Sequence, residues 1–529
     1  MITLQKITRS SGLWLAIGAI LLFLSSLQPS ISLAAWVAPV FLLRFARSQR
    51  PRTGLLRLAL VMSVTLSIKW AITFAPATML GICGAIAALI TLLGYAIDRT
   101  LSPRLTGVTS TLVFPLSMTI LDWISSHIAG FLSSTLLPSL VGVGATWNPV
   151  FYTQAANLPL IQVVSLTGPW GLTFLITWFA PIVNALWEND FNMRRVRRSL
   201  IGFAALLIAA LAFGNARLAF HSDTPPTVAV AGIVAQEDLF NTITDMNPQE
   251  LMPGTAATRE TARRRFEPIV EDLFVRSQQE AAQGAKIIVW GEADAPVLEE
   301  DIPDVLARAA NVAAGEHVYL QIGLVIFRDS EHYPFMENRA ILFDPTGAQV
   351  WDYHKAYPTP GENTMVVAGP PIVPTVDTPY GRLATVLCYD NDFPELVRQA
   401  GQAGVDILFV PSKDWDSVKI QHAEMAKFRA IENGLSIVRP ALSGLSSTID
   451  PFGRITAQVN SFTTPDPTLR AQVSTGGTPT LYSHLGDGFA YLCLLALVFI
   501  IFLAFPGRRA TDVPLPQMDA PAARAVHEQ

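Results

Sequence analysis

Residues 383–390, LATVLCYD, form an apolar run of strand-forming character that ends in a cysteine, and residues 394–403 after it carry helical spacing. Short apolar runs between helical segments read as strands buried on both faces. The alternation continues outward in both directions. Downstream lie a strand at 406–410, a helix at 418–433 and a strand at 435–440. Upstream lie strands at 228–234, 286–290, 317–327 and 340–343, with helices at 256–283 and 302–314. This pattern predicts a layered α/β domain over residues 220–486, its sheet covered on both faces. In such sheets chemistry gathers where strands end. Three residues hold those positions: Glu292 after 286–290, Lys355 after the hairpin arm 349–354, and Cys388 at the close of 383–388.

The rest of the chain has another character. Half of its 529 residues are hydrophobic and 15% are charged, too apolar for a wholly soluble protein. A spanning helix needs about 20 mostly apolar residues. Seven N-terminal runs qualify, at 12–27, 32–44, 55–74, 79–97, 105–121, 160–187 and 200–217, and an eighth lies at 489–505. The second run is short, and the third contains Lys69, whose ammonium can reach an interface. The first run could be a cleaved signal peptide, but it leads without a clear cleavage motif into more apolar sequence, which favours a retained anchor.

Short loops rich in Lys and Arg stay in the cytoplasm. Lys6 and Arg9, then Arg44 to Arg52, Arg99 with Arg104, and Arg194 to Arg198 fall in alternate loops, whereas the loops around Pro29, around Pro76 and from Ser126 to Pro159 contain neither residue type. Residues 1–219 are therefore expected to be a membrane domain of about seven helices, and 220–486 an extracytoplasmic domain. Residues 487–507 are expected as a returning helix and 508–529 as a disordered cytoplasmic tail. A further pair of spans within 123–159 would not change that side. The net charge of −5 and the absence of a broad basic patch exclude a nucleic-acid partner. No clustered metal-ligand spacing and no phosphate-binding glycine loop occurs, so neither metal nor cofactor is expected.

A thiol attacks as thiolate and needs a base and a positive charge nearby. Glu292 can take the proton, the Lys355 ammonium can stabilise the oxyanion, and N–H groups after Cys388 can add to that stabilisation. Taken singly, a cysteine at a strand end is more often a small core residue, Glu292 a helix-start carboxylate and Lys355 a solvated charge. Their occurrence together, and a thiol without a disulfide partner in an extracytoplasmic domain, favour a site.

The three residues sit in Val289-Trp290-Gly291-Glu292, Tyr353-His354-Lys355 and Leu387-Cys388-Tyr389-Asp390, and this constellation resembles the nitrilase superfamily. With the membrane runs, and with Leu121-Asp122-Trp123, residues 157–162 (NLPLIQ) and Gly168-Pro169-Trp170-Gly171, it is similar to the apolipoprotein N-acyltransferase family. Asp414-Trp415, Gln421-His422, Met425, Arg429-Ala430, Glu432 and Arg439 follow that family's order. The resemblance implies a multi-pass helical membrane domain joined to an extracytoplasmic nitrilase-like αββα sandwich in a bacterial inner membrane. It implies Glu292 as general base, Lys355 as stabiliser of the intermediate and Cys388 as the acylated residue, with Glu362 and Tyr389 in support. Gly291 stands where the family has proline, Ser412-Lys413 where it has Ser-Asn, and the spacing from Lys355 to Glu362 is one residue shorter.

The implied reaction moves an acyl chain from a membrane phospholipid to Cys388, then to the N-terminal diacylglyceryl-cysteine amine of a lipoprotein; a monomer is expected. Trp415 is a candidate wall of the acyl-chain groove, against an equal expectation of interfacial or core packing. The alternative is a membrane-anchored amidase hydrolysing a carbon–nitrogen bond with the same three residues, and a third reading is a non-catalytic scaffold. His422 is expected to face its own helix neighbours, without a catalytic role.

Overall fold

A computed structural model describes residues 11–26, 29–73, 78–131, 150–220, 226–244, 255–328, 334–359 and 361–505. Among the described residues, five helices are long and apolar enough to cross a membrane: Pro51–Ile72, Gly84–Arg104, Val108–His127, Pro169–Glu188 and Met193–Ala219. Ser11–Ser25 and Gly488–Ala504 are shorter apolar helices, and Ser32–Ser48 carries Arg44 and Arg47 in its last turns. Arg47 is matched by the buried Asp98, at 2.8 and 2.9 Å. The tail 508–529 and most of the loop after 131 lie outside the described residues.

The apolar run at 160–187 differs from a single expected helix. Gly168 adopts φ +62°, and a β-carbon there would lie 2.4 Å from the Tyr482 ring. With Pro169 next, the chain breaks into the short turns Leu158–Ile161 and Val164–Thr167 before the helix Pro169–Glu188. The short turns lie under the α/β domain, where Gln162 Nε2 donates to Phe452 O at 2.9 Å.

Among the described residues, the α/β domain contains fifteen strands in chain order: β1 Thr227–Ile233, β2 Ile287–Trp290, β3 Ala295–Leu298, β4 Tyr319–Phe327, β5 Met336–Phe343, β6 Gln349–His354, β7 Thr375–Thr378, β8 Gly381–Thr385, β9 Ile407–Phe409, β10 Ser412–Lys413, β11 Ser436–Arg439, β12 Ala441–Leu442, β13 Leu445–Ile449, β14 Ile455–Asn460 and β15 Leu469–Ser474. The first sheet runs β15-β1-β2-β4-β5-β6, with β3 also paired to β4; the second runs β14-β13-β11-β9-β8-β7. The centres, β1-β2-β4 and β8-β9-β11, are parallel, and antiparallel strands flank them.

Alternate side chains of the first sheet serve two cores. Val228, Val230, Ile287 and Val289 join Leu383, Ile407 and Ile437 of the second sheet in one buried cluster. Ile288, Trp290, Leu320 and Ile322 instead meet Phe266, Ile269 and Leu273 of the helix Ala256–Ala282. The helices Pro394–Gln402 and Lys419–Asn433 add Leu396, Val397, Met425 and Phe428 to the first cluster. Two sheets packed face to face between helix layers give the αββα arrangement.

Candidate active site

The strand expected to end at Cys388 stops earlier, at Thr385. Its backbone still bonds onward, Val386 N to Phe409 O at 3.0 Å and Cys388 N to Pro411 O at 2.8 Å, until Cys388 opens a 3-10 turn at φ +46°. That left-handed conformation is costly for a side chain with a β-carbon. Glu292 follows β2 of the first sheet in a similar bend, with Ala293 at φ +54°. Lys355 leaves β6, and its N–H is still bonded to Asn338 O at 2.9 Å. The site therefore forms where strand ends of the two sheets meet.

Lys355 is fully buried, and Glu292 and Cys388 nearly so. Lys355 Nζ donates to Glu292 Oε1 and to Glu362 Oε2, both at 2.7 Å. Asn338 Nδ2 donates to Glu292 Oε1 at 2.9 Å, and the Lys413 N–H to Glu292 Oε2 at 3.0 Å. Glu362, in a loop opened by Gly361 at φ +101°, also accepts from Thr359 N at 2.9 Å. Cys388 Sγ lies 3.7 Å from Lys413 O.

Burial opposes the charge on Lys355, but Glu292, Glu362 and Cys388 hold its pKa well above the ordinary lysine value. Burial likewise opposes ionisation of Glu362, and Lys355 outweighs it, keeping that carboxyl below its usual range. For Cys388, burial and the Glu292 carboxylate push the thiol well up, with Lys355 acting the other way. The buried thiol is thus disfavoured as thiolate, and the Glu292 carboxylate and the Lys355 ammonium act on it in opposite senses.

Tyr389 is buried in the same turn, edge-on to Phe393 at 5.3 Å, and Phe393 stacks on Tyr357 at 3.9 Å. Trp415 is 43% exposed and its carbonyl accepts from Val418 and Lys419 N–H groups. It lies in the loop after β10, one residue beyond the buried Asp414.

Sequence reasoning missed several neighbours. Asn338 is one; a polar residue at a buried register position of β5 was its signal. Asp390 is a second: its carboxylate accepts from Tyr353 Oη at 2.7 Å, Tyr357 N at 2.8 Å and Leu387 N at 3.1 Å, so it ties the lysine loop to the nucleophile turn. Burial pushes its pKa up to about 6. Expected among its helix neighbours, His422 is instead buried between two aspartates, Nδ1 at 2.7 Å from Asp414 and Nε2 at 3.2 Å from Asp392. Arg439 Nη2 donates to both Asp414 oxygens at 2.8 Å. Donor atoms of Cys388, Asp414 and His422 lie within 4.8 Å of one another, but Arg439 already neutralises the carboxylate that a metal ion would need.

The chain matches two family profiles: the apolipoprotein N-acyltransferase N-terminal domain over residues 18–182 and carbon-nitrogen hydrolase over residues 253–477. An apolipoprotein N-acyltransferase of Geobacter metallireducens is 27% identical, covering 95% of this chain and 96% of that protein. One from Bradyrhizobium diazoefficiens is 26% identical over 80% of this chain and 79% of its own length. Among solved structures, an amidase from Nesterenkonia sp. aligns at 18% identity and a TM-score of 0.37, covering 48% of this chain and 92% of the amidase. Both domain matches stand in order along one polypeptide, and relatives of the same build align with it nearly end to end, so the chain is similar over both domains to the apolipoprotein N-acyltransferases.

Proposed function

We propose that this acyltransferase takes an acyl chain from a membrane phospholipid onto Cys388 and passes it to the α-amine of a lipoprotein's N-terminal diacylglyceryl-cysteine, at the outer face of a bacterial inner membrane. The observation that carries the reading is the buried Glu292–Lys355 pair beside Cys388, with the half-buried Glu362 on the same ammonium, in a domain attached at both ends to apolar helices. Arginine-rich loops alternating with loops free of Lys and Arg support an extracytoplasmic placement.

In the first half-reaction Glu292 takes the thiol proton and the sulfur attacks the ester carbonyl. Lys355 stabilises the oxyanion; collapse breaks the ester C–O bond, and the proton held by Glu292 goes to the departing lysophospholipid alcohol. In the second, Glu292 takes a proton from the incoming amine, the nitrogen attacks the thioester, and the thiolate leaves and is reprotonated. Tethering at the bilayer surface concentrates both lipid substrates and lowers the entropic cost of encounter. Glu362 restrains the Lys355 ammonium, and Trp415 forms a wall for the acyl chain.

Incubation of the full-length chain with phospholipid, followed by mass spectrometry, should give an acyl adduct on Cys388. Cys388→Ala should abolish it, and Glu292→Gln should slow its formation by about 10²–10⁴-fold. Carboxamide hydrolysis without any lipid adduct would favour the amidase reading instead.

A further inference from the structure

The second half-reaction leaves one proton without a destination. An α-amine at neutral pH is mostly an ammonium, with an ordinary pKa of about 7.7–8.0, and it must shed two protons to become an amide nitrogen. Glu292 takes one and returns it to the departing thiolate. The other has to leave before the nitrogen can attack.

Two lysines stand at the site, and they differ. Lys355 Nζ is held by the Glu292 and Glu362 carboxylates at 2.7 Å each, which fixes it as an ammonium. Lys413 belongs to the site through its backbone: its N–H donates to Glu292 Oε2 at 3.0 Å, and its carbonyl oxygen lies 3.7 Å from Cys388 Sγ. Its side chain is half-buried, with Nζ 4.0 Å over the ring of Phe240 in the helix Glu237–Thr244 and no carboxylate at ion-pair distance among the described residues. Burial holds the Lys413 pKa below the ordinary lysine value; Asp294, Glu292 and Glu362 act against that, and Lys355 acts with it. A ring face attracts a cation but takes no proton from it. Lys413, unlike Lys355, can therefore change its charge without breaking an ion pair.

We infer that Lys413 keeps the acceptor's α-amine neutral for attack on the Cys388 thioester, by holding the proton that the two amines would otherwise share. The inference rests on the acyl-transfer reading above. When Lys413 is uncharged, the α-ammonium gives it one proton: an N–H bond breaks on the acceptor and one forms on Nζ, lysine being ordinarily the stronger base. When Lys413 is already charged, its ammonium opposes a second one beside it, and the acceptor's proton goes to water. Either way an uncharged nitrogen meets the thioester. A proton gained by Lys413 returns to water once the amide has left.

The test uses the full-length chain in detergent, acylated by phospholipid to the Cys388 adduct, with discharge of that adduct followed by mass spectrometry. One acceptor is a diacylglyceryl-cysteine peptide with a free α-amine; the other is hydroxylamine, a weaker base that is mostly neutral at pH 6.5. At that pH only about one α-amine in twenty is neutral in water. The wild-type ratio of peptide to hydroxylamine discharge, at saturating peptide, should fall by less than about threefold from pH 9.5 to 6.5, and that of Lys413→Met by about twentyfold. A merely structural role would lower discharge by both acceptors alike and leave the ratio unmoved. A twentyfold fall in wild type, or a Lys413→Met ratio that tracks wild type at both pH values, would overturn the inference. Wild type that forms no adduct sinks the transfer reaction itself; an adduct whose discharge is indifferent to residue 413 sinks this step alone.

Discussion

Cys388 is the residue where conformation and chemistry conflict most. A left-handed backbone in a residue with a β-carbon costs on the order of 1–3 kcal/mol, and the turn is held by the Asp390 carboxylate bonded to Leu387, Tyr353 and Tyr357. The thiol meets a second cost, because burial and Glu292 disfavour its ionised form. Because the folded pKa lies above that of an exposed cysteine, alkylation of the substrate-free protein by iodoacetamide should stay slow at pH 7 and keep rising past pH 9. A plateau below pH 8 would show a resting thiolate and contradict this account. Glu292, Lys355 and Cys388 were legible in the sequence because each follows a strand-forming run and sits in a short local pattern. Asn338 was not, because only the β4–β5 register carries its amide to Glu292.

At the scale of elements, the placement of the Glu292 carboxylate depends on how closely two strands approach. A β-carbon on Gly323, in β4, would stand 1.9 Å from the carbonyl oxygen of Gly291, next to Glu292. Gly323→Ala should displace that bend and lower the rate of Cys388 acylation by about 10²-fold, since misplacement by about an ångström costs that much. Acylation at the wild-type rate would mean the bend is not held by β4. Gly291 itself has no room for a larger residue: a β-carbon there would fall 2.4 Å from the Asp294 carboxylate.

The helix Lys419–Asn433 contributes His422, whose charge is opposed by burial and favoured by Asp392 and Asp414, giving a pKa of about 9. A basic group raised above its unfolded value stabilises fully below about pH 6.5 and loses that contribution as pH rises through about 9. The gap in melting temperature between wild type and His422→Gln should therefore be widest near pH 6 and close by pH 10. A gap constant across that range would assign His422 a packing role only. This cluster was hidden in the sequence because Asp392, Asp414, His422 and Arg439 belong to four separate elements that meet only once the second sheet has formed. The strands β14 and β15 escaped notice for a related reason: as outer strands they alternate half-exposed polar residues, so no apolar run announces them.

The whole molecule is held together across its seam by a few directed bonds as well as by apolar packing. Gln162 donates to Phe452 O and accepts from Arg217 Nη1, both at 2.9 Å, in the broken stretch before Pro169. Gln162→Ala should cost about 1–3 kcal/mol by leaving those partners unsatisfied. The measurable result is a lower melting temperature in detergent, with unchanged cysteine alkylation per folded molecule; altered alkylation would show that the seam reaches the active site. The α/β layers and the helical character of the apolar runs could be read from periodicity and composition. The break at Gly168 could not, since it reflects the Tyr482 ring from the far end of the chain.

The pairing of β1 with β15, Thr227 opposite Ser474, sets an order on biogenesis. The outer edge of the first sheet stays open until residues translated almost at the end of the domain arrive to cover it. A growing chain that has already delivered Cys388 is still an unfinished sheet, completed only just ahead of the apolar helix Gly488–Ala504.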